Sequence, residues 1–226
     1  MFCITFLFAQ TTKQPNVLLT KGIVFFGLSG GASIRETENQ DLFIFRIKEQ
    51  QKSGFNVFVS GGYVLGNDFG VGGAFRYDQS RLTRTAVDQD GIVSDIKEAG
   101  TILTSSAYLK YFIPLGASKR INLYNIAGVA WVNDNNLNET LTQQVLTRTY
   151  TTINSVQLGF SPGIQVFIID GFATELGVNI AGISGGAKKV YVNGVEDSKS
   201  NRLDIDLKLD ILSASISFYY YFRVNN

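Results

Sequence analysis

The chain is predicted to be all-β: an eight-stranded antiparallel up-and-down transmembrane β-barrel with four long extracellular loops and three short periplasmic turns. Three observations lead to this reading. Eight segments of about ten or more residues alternate apolar with small or polar side chains, the period of a strand whose two faces meet different surroundings. Polar stretches over residues 35–52, 80–99, 133–150 and 185–203 alternate with tight turns at Gly66-Asn67-Asp68-Phe69, at Pro114 to Arg120 and at Ile169-Asp170-Gly171-Phe172. Long connections therefore gather at one end and short ones at the other, as in a barrel with one end on the cell surface. Finally, hydrophobic residues make up 45% of the 226, yet no run of about 18 apolar residues is present to cross a bilayer as a helix.

Residues 1–10 read as the end of a secretory signal peptide, without the usual basic segment before it. Phe2, Ile4, Phe6, Leu7 and Phe8 lead to Ala9-Gln10, and the chain turns polar at Thr11. An apolar N-terminal strand is the competing reading. Residues 11–20 then form a short periplasmic segment and residues 21–226 the barrel domain. Cleavage removes Cys3, the one cysteine, and leaves a chain suited to an oxidising periplasm.

The first strand, Lys21 to Arg35, sets Val24, Phe26, Leu28, Ala32 and Ile34 against Gly27, Ser29, Gly31, Ser33 and Arg35. The second, Gly54 to Leu65, sets Phe55, Val57, Val59, Tyr63 and Leu65 against Asn56, Phe58, Ser60, Gly62 and Val64. The third opposes Phe69, Val71, Phe75 and Tyr77 to Gly70, Gly72, Ala74, Arg76 and Asp78. The fourth opposes Ala107, Leu109, Tyr111 and Ile113 to Ser106, Tyr108, Lys110 and Phe112, stopping at Pro114. In the fifth, Ile121 to Val132, both Leu123-Ala127-Val129-Trp131 and Tyr124-Ile126-Ala130-Val132 suit an apolar surface, so its parity stays open. The sixth sets Val156, Leu158, Phe160, Ile164, Val166 and Ile168 against Gln157, Gly159, Ser161, Gly163, Gln165 and Phe167, and Pro162 predicts a bulge or a weakened ladder there. The seventh sets Phe172, Thr174, Leu176, Val178 and Ile180 against Ala173, Glu175, Gly177, Asn179 and Ala181. In the last strand the apolar parity runs from Leu203 to Ile211, then changes to Leu212 through Phe222, predicting a bulge at Ile211-Leu212.

An eight-stranded interior is too narrow for the many Phe, Leu and Ile side chains of the apolar faces. These faces therefore point outward to lipid, and the Gly, Ser and Gln faces with their single charges point inward. Tyr63, Phe69, Tyr111, Phe172, Tyr220 and Phe222 form an aromatic girdle beside the short turns; Tyr77, Trp131 and Tyr150 form a sparser one near the long loops. Lys110 and Glu175 each lie four residues from a short turn, about 10 Å above the periplasmic rim. A Lys110–Glu175 contact, with Arg76 nearby and Asp78 beside it, is the expected solution for buried charge. A gated ion path is the functional alternative for the same four residues.

Several residue stretches carry a resemblance: Gly30-Gly31-Ala32, Gly72-Gly73-Ala74-Phe75-Arg76-Tyr77, Tyr108-Leu109-Lys110-Tyr111-Phe112, and Ser215 to Phe222. Over about residues 18–222 the chain resembles the small eight-stranded outer-membrane barrel family, of the OmpA/OmpX-like and Bacteroidetes type. The resemblance implies the cell outer membrane, contact with outer-membrane lipids and lipopolysaccharide, and assembly by the outer-membrane insertion machinery. It also implies that Phe218, Tyr220 and Phe222 carry the assembly signal, here followed by Arg223-Val224-Asn225-Asn226 rather than ending the chain. Members of the family do several unrelated jobs.

The sequence contains no histidine, which removes Ser-His-Asp and Cys-His catalysis and the usual zinc sites. No carboxylate pair converges, so no enzyme activity and no cofactor is expected. Gly70-Val71-Gly72-Gly73 lies in a strand with no helix after it and is not a phosphate loop. Asp88-Gln89-Asp90-Gly91 with Asp95, and Asp134-Asn135-Asn136 with Asn138 and Glu139, lack the full calcium-loop series. Net charge of +1 with scattered basic residues speaks against nucleic acid. Val190 to Val195 reads as a hairpin with an Asn193-Gly194 turn. The leading expectation is a monomeric, non-enzymatic outer-membrane barrel with a packed polar lumen, whose loops contact a surface partner or serve envelope structure. The alternatives are a narrow pore for ions or small solutes and a soluble lipocalin-like ligand-binding barrel.

Overall fold

The computed structural model describes residues 19–41, 45–66, 68–88, 90–116, 118–178, 181–207 and 215–223. The signal-peptide reading of residues 1–10 and the bulge expected at Ile211-Leu212 lie outside these residues. Ten antiparallel strands are formed: β1 (Ile23–Asp41), β2 (Phe45–Gly66), β3 (Phe69–Asp88), β4 (Val93–Leu115), β5 (Ile121–Thr142), β6 (Val145–Ile169), β7 (Phe172–Gly177), β8 (Ala181–Val192), β9 (Val195–Leu207) and β10 (Ser215–Arg223). Each of β1 to β5 bonds to the next, β5 bonds to β6, β6 to β7, β7 to β10, and β10 back to β1. That circuit is closed. β8 continues β7 along β6, and β9 pairs β8 as β10 pairs β7. Eight staves therefore make the barrel, closed at the short-turn end where β1 pairs β10 over Ile23–Leu28; among the described residues no β1–β9 pairing carries that seam further up.

The outward faces follow the alternation of the sequence. Phe26 (50% exposed), Leu109 (49%) and Ile216 (61%) stand on the outer surface rather than meeting in a core. They belong to a belt of exposed aliphatic and aromatic side chains present on every stave. On β2 the belt runs from Phe55 to Leu65, about 25 Å at the tilt of barrel strands, the height of a bilayer's hydrocarbon layer. Such a surface requires lipid around it, so the barrel is transmembrane. Tyr63, Tyr111, Tyr220 and Phe222 are exposed at the short-turn end, where amphipathic rings suit a membrane interface.

Among the described residues the four polar stretches are mostly paired strand, so the long connections at that end are extended hairpins. β2 to β6 are 20 to 25 residues long, about twice what a bilayer crossing needs, and the polar stretches are their continuations. Two of the resulting hairpins close on two-residue tips, Gln143-Gln144 (φ 49° and 68°) and Asn193-Gly194 (φ 50° and 85°). Paired positive φ values are the type I′ geometry whose twist matches the flanking strands. Polar side chains stabilise the extensions laterally: Asn133 Nδ2 donates to Asn154 Oδ1 at 2.8 Å, and Tyr150 Oη donates to Asn135 Oδ1 at 2.9 Å.

β5 settles its open parity with Ile121, Leu123, Val129 and Trp131 outward, and Asn122, Tyr124 and Val132 buried inside. Pro162 lies where the ladder weakens on one side only. β6 keeps an unbroken register with β5 through Asn125 opposite Pro162, while its other neighbour changes from Gly177 opposite Gly163 to Ala181 opposite Phe160. The register of the seventh stave on β6 thus changes by one residue between Gly177 and Ala181, and its outward parity passes from even at Leu176 to odd at Ile183. The sequence reading kept one parity throughout that stave. In the eighth stave, exposed Leu203 and exposed Ile216 show the change from odd to even that was expected.

Candidate functional site

The most heavily engineered part of the molecule is the floor of the lumen at the short-turn end. Phe25 of β1, Ser60 and Val64 of β2, Tyr108, Lys110 and Phe112 of β4, Asn122 and Tyr124 of β5, Gln165 and Phe167 of β6, Ala173 and Glu175 of β7, and Tyr219 and Tyr221 of β10 are all buried there. All come from inward positions of their strands. β3 contributes Gly70 and Gly72, whose missing side chains leave room for the rings of Phe25 and Tyr108. The same pairing of ring and glycine recurs: a Cβ on Gly27 would strike Tyr219, one on Gly62 would strike Phe25, and one on Gly163 would strike Tyr124. A flat ring lying across a glycine of the neighbouring strand fills a narrow lumen and covers the bare backbone.

At the centre, Lys110 Nζ donates to both carboxylate oxygens of Glu175 at 2.6 Å, with side chains 0% and 3% exposed. β4 and β7 are separated in the ring by β5 and β6, so this ion pair crosses the lumen. Four rings surround the ammonium, with centroids 5.6 Å (Phe25), 5.1 Å (Phe112), 4.5 Å (Tyr124) and 4.6 Å (Tyr219) from Nζ. Their negative faces replace part of the hydration the cation gave up. Glu175 Oε1 also accepts from Gln165 Nε2 at 2.7 Å and from Tyr221 Oη at 2.9 Å. Asn122 Nδ2 in turn donates to Gln165 Oε1 at 3.0 Å. Such a set meets the condition under which a buried ion pair is tolerated: close geometry and further hydrogen bonds on its acceptor oxygens. Above it, Ser60 Oγ and Tyr108 Oη are hydrogen-bonded at 2.6 Å.

The predicted lumen charges thus form two separate pairs rather than one network. Arg76 and Asp78 join through Arg76 Nε at 2.9 Å, with side chains 48% and 24% exposed. Lys110 sits opposite Gly70, six residues from Arg76 on β3, about 15 Å lower in a tilted stave. Arg76 does not approach the lower pair because its neighbour Asp78 already satisfies it in the wetter upper lumen. The inner face is also less polar than expected. Seven aromatic rings occupy the floor, and the signal for them lay in the sequence: Phe25, Tyr124, Phe167, Tyr219 and Tyr221 fall on the inward parity once each strand is anchored by its turns.

Phe218, Tyr220 and Phe222 project outward from β10, whose pairing with β1 (Phe222 opposite Val24) closes the ring. Of the calcium-like stretches, Asp134 to Glu139 lie in β5 and Asp95 in β4, while Asp90 and Gly91 lie between β3 and β4. Asp95 accepts from Thr85, Asn138 donates to Glu98, and Glu139 holds Arg148. Among the described residues no cluster of three acidic or thiol groups is placed to hold a metal ion.

No family model matches the chain, and no curated protein does. Among solved structures the chain is similar to the outer membrane protein OprG from Pseudomonas aeruginosa, at 14% identity over 92% of this chain and 100% of that one, with a TM-score of 0.49. It is also similar to Neisserial surface protein A, at 16% identity over 89% and 97% of the two chains, with a TM-score of 0.32.

Proposed function

We propose that this is an integral outer-membrane protein without enzymatic activity, whose barrel is sealed at the periplasmic end and whose long hairpins stand outside the cell as its contact surface. The short turns face the periplasm, and the polar strand extensions face the medium. The observation that carries this reading is the Lys110–Glu175 pair with its four rings, which spans the lumen with both charged groups buried. A narrow pore needs mobile or wetted charges along its axis; here the central ammonium is fully buried. A lipocalin-like soluble barrel needs its apolar faces inside, opposite to the belt observed. The absence of histidine from the sequence supports a non-catalytic role by removing the commonest general base.

Planar-bilayer recording tests the seal. The purified protein is expected to give no stepwise conductance. Reproducible openings in the wild-type protein that vanish in Glu175→Ala would replace the sealed barrel with a pore whose path runs through the pair. Recovery of the protein in the soluble fraction after a carbonate wash of cell envelopes would refute membrane integration.

A further inference from the structure

On the outer wall above the apolar belt, β5, β6 and β8 form a groove of about 610 Å³, within the size range of small-ligand sites. Its walls combine two kinds of group. Tyr150 and Tyr191 are direct cross-strand partners with ring centroids 6.4 Å apart, and Thr152 and Asn154 add a hydroxyl and an amide. Lys189 lines the same groove and is opposite Lys199 of β9 in the ladder. Both lysines are exposed, and among the described residues neither has an ion-pair partner. Like charges directly opposite each other repel, and an anion between them removes that repulsion.

The height of the groove identifies the anion. Lys189 is opposite Thr152, and four residues down the same face of β6 lies Val156, opposite Trp131 in the belt. The lysine backbones therefore stand about 10 Å above the outermost belt residues, just beyond a headgroup layer of roughly 5–7 Å and within the reach of a lysine side chain from it. The nearby carboxylates lie farther out: Asp197, two residues from Lys199 towards the tip, Glu196 opposite Tyr191, and Glu139 bound to Arg148 at 2.8 Å. Cations nearest the membrane, with aromatic faces and amides beside them, suit a phosphate attached to a sugar ring. The phosphate lies between ammonium groups, and the C–H face of the sugar packs on tyrosine.

We propose that this outer groove binds the phosphorylated sugar headgroup of an outer-leaflet glycolipid. The proposal rests on the membrane-spanning reading above and names one lipid that surrounds the barrel. Acyl chains of the bound lipid continue downward over Trp131 and Val156, so one molecule covers both the groove and the belt beneath it.

The test uses the full-length barrel in phosphatidylcholine nanodiscs, titrated with lipopolysaccharide, with dephosphorylated lipopolysaccharide, and with the phosphorylated oligosaccharide lacking acyl chains. Trp131 is the only tryptophan in the sequence and lies just below the groove, so its fluorescence reports binding. Saturable binding is expected for intact lipopolysaccharide, weakened roughly tenfold or more by dephosphorylation and by the Lys189→Glu/Lys199→Glu variant, the loss of about one charge-assisted contact. The milder Lys189→Gln/Lys199→Gln variant serves if the double reversal does not fold. Equal binding by variant and wild type, or equal binding of the dephosphorylated lipid, would overturn the proposal. So would equally tight binding of the acyl-free oligosaccharide, or a change of oligomeric size in the variant with lipid binding unchanged. Heat-modifiable electrophoretic migration and protease protection are measured on the same samples. Their loss in the wild type refutes membrane integration, whereas their retention without lipid binding refutes the groove alone.

Discussion

Glu175→Gln tests the lumen floor most directly, because it removes a charge while keeping nearly the same shape. Lys110 is left without its anion at a position with no solvent exposure, where both 2.6 Å contacts had been to that carboxylate. Removing one member of a buried, hydrogen-bonded ion pair costs about 3–5 kcal/mol. The four rings do not reduce this difference, since they surround Lys110 equally in both proteins. Gln165 and Tyr221 also lose a charged acceptor, each such bond being worth roughly 1.5–3 kcal/mol when counted singly, but these losses overlap with the first and are not added to it. The expected destabilisation is therefore about 3 kcal/mol or more. Guanidinium unfolding of the barrel refolded in lipid vesicles measures it, with Lys110→Met and the Lys110→Met/Glu175→Gln double variant completing a cycle. The double variant is expected to recover much of the loss, giving a coupling of at least about 2 kcal/mol. A single-variant loss under about 1 kcal/mol, or single effects that simply add, would show that the two groups do not depend on one another.

Three further outcomes follow from the same geometry. Gly27→Ala is expected to lose about 1–3 kcal/mol because its methyl meets the Tyr219 ring, while Gly66→Ala, with open space at its Cβ, stays within about 0.5 kcal/mol; equal midpoints for the two would contradict the ring-over-glycine packing. Leu109→Arg places a charge on the lipid face and is expected to cost about 2–4 kcal/mol in lipid vesicles, whereas an arginine on the inward face between Asp78 and Asp134, Ile102→Arg, costs less; the reverse order would invert the assigned faces. Asn193→Val puts a β-branched residue at φ 50°, so the β8–β9 tip should open and trypsin should cut at Lys188 or Lys189 faster, leaving a protected membrane fragment. An unchanged digestion rate would show that the tip geometry does not hold that hairpin.

The strand faces were readable because an alternating pattern leaves little choice where one side is apolar and the other small or charged. β5 resisted for a physical reason: Tyr124 and Val132 are as apolar as Leu123 and Val129, and only the aromatic lumen floor made the inward set intelligible. Apart from the Asn193-Gly194 hairpin, which its turn residues announced, the polar stretches were legible as lying outside the bilayer but not as strands, because Thr- and Asn-rich pairs across a hairpin look like loop composition in a single sequence. Lys110 and Glu175 could be matched by counting from their turns. Their partners Gln165, Asn122 and Tyr221 could not, since these lie on other strands and meet only after the ring closes.

Composition and period by themselves determined a cysteine-poor, histidine-free chain of alternating strands whose apolar sides face away from a narrow axis. Only the tertiary structure decided which inward residues touch. In a closed barrel that depends on strand tilt and stagger, quantities fixed by the sum of all the pairings and encoded in no single segment. A one-residue slip of β7 along β6, or a different stagger of β4 against β7, would carry Glu175 away from Lys110 while leaving every local pattern unchanged.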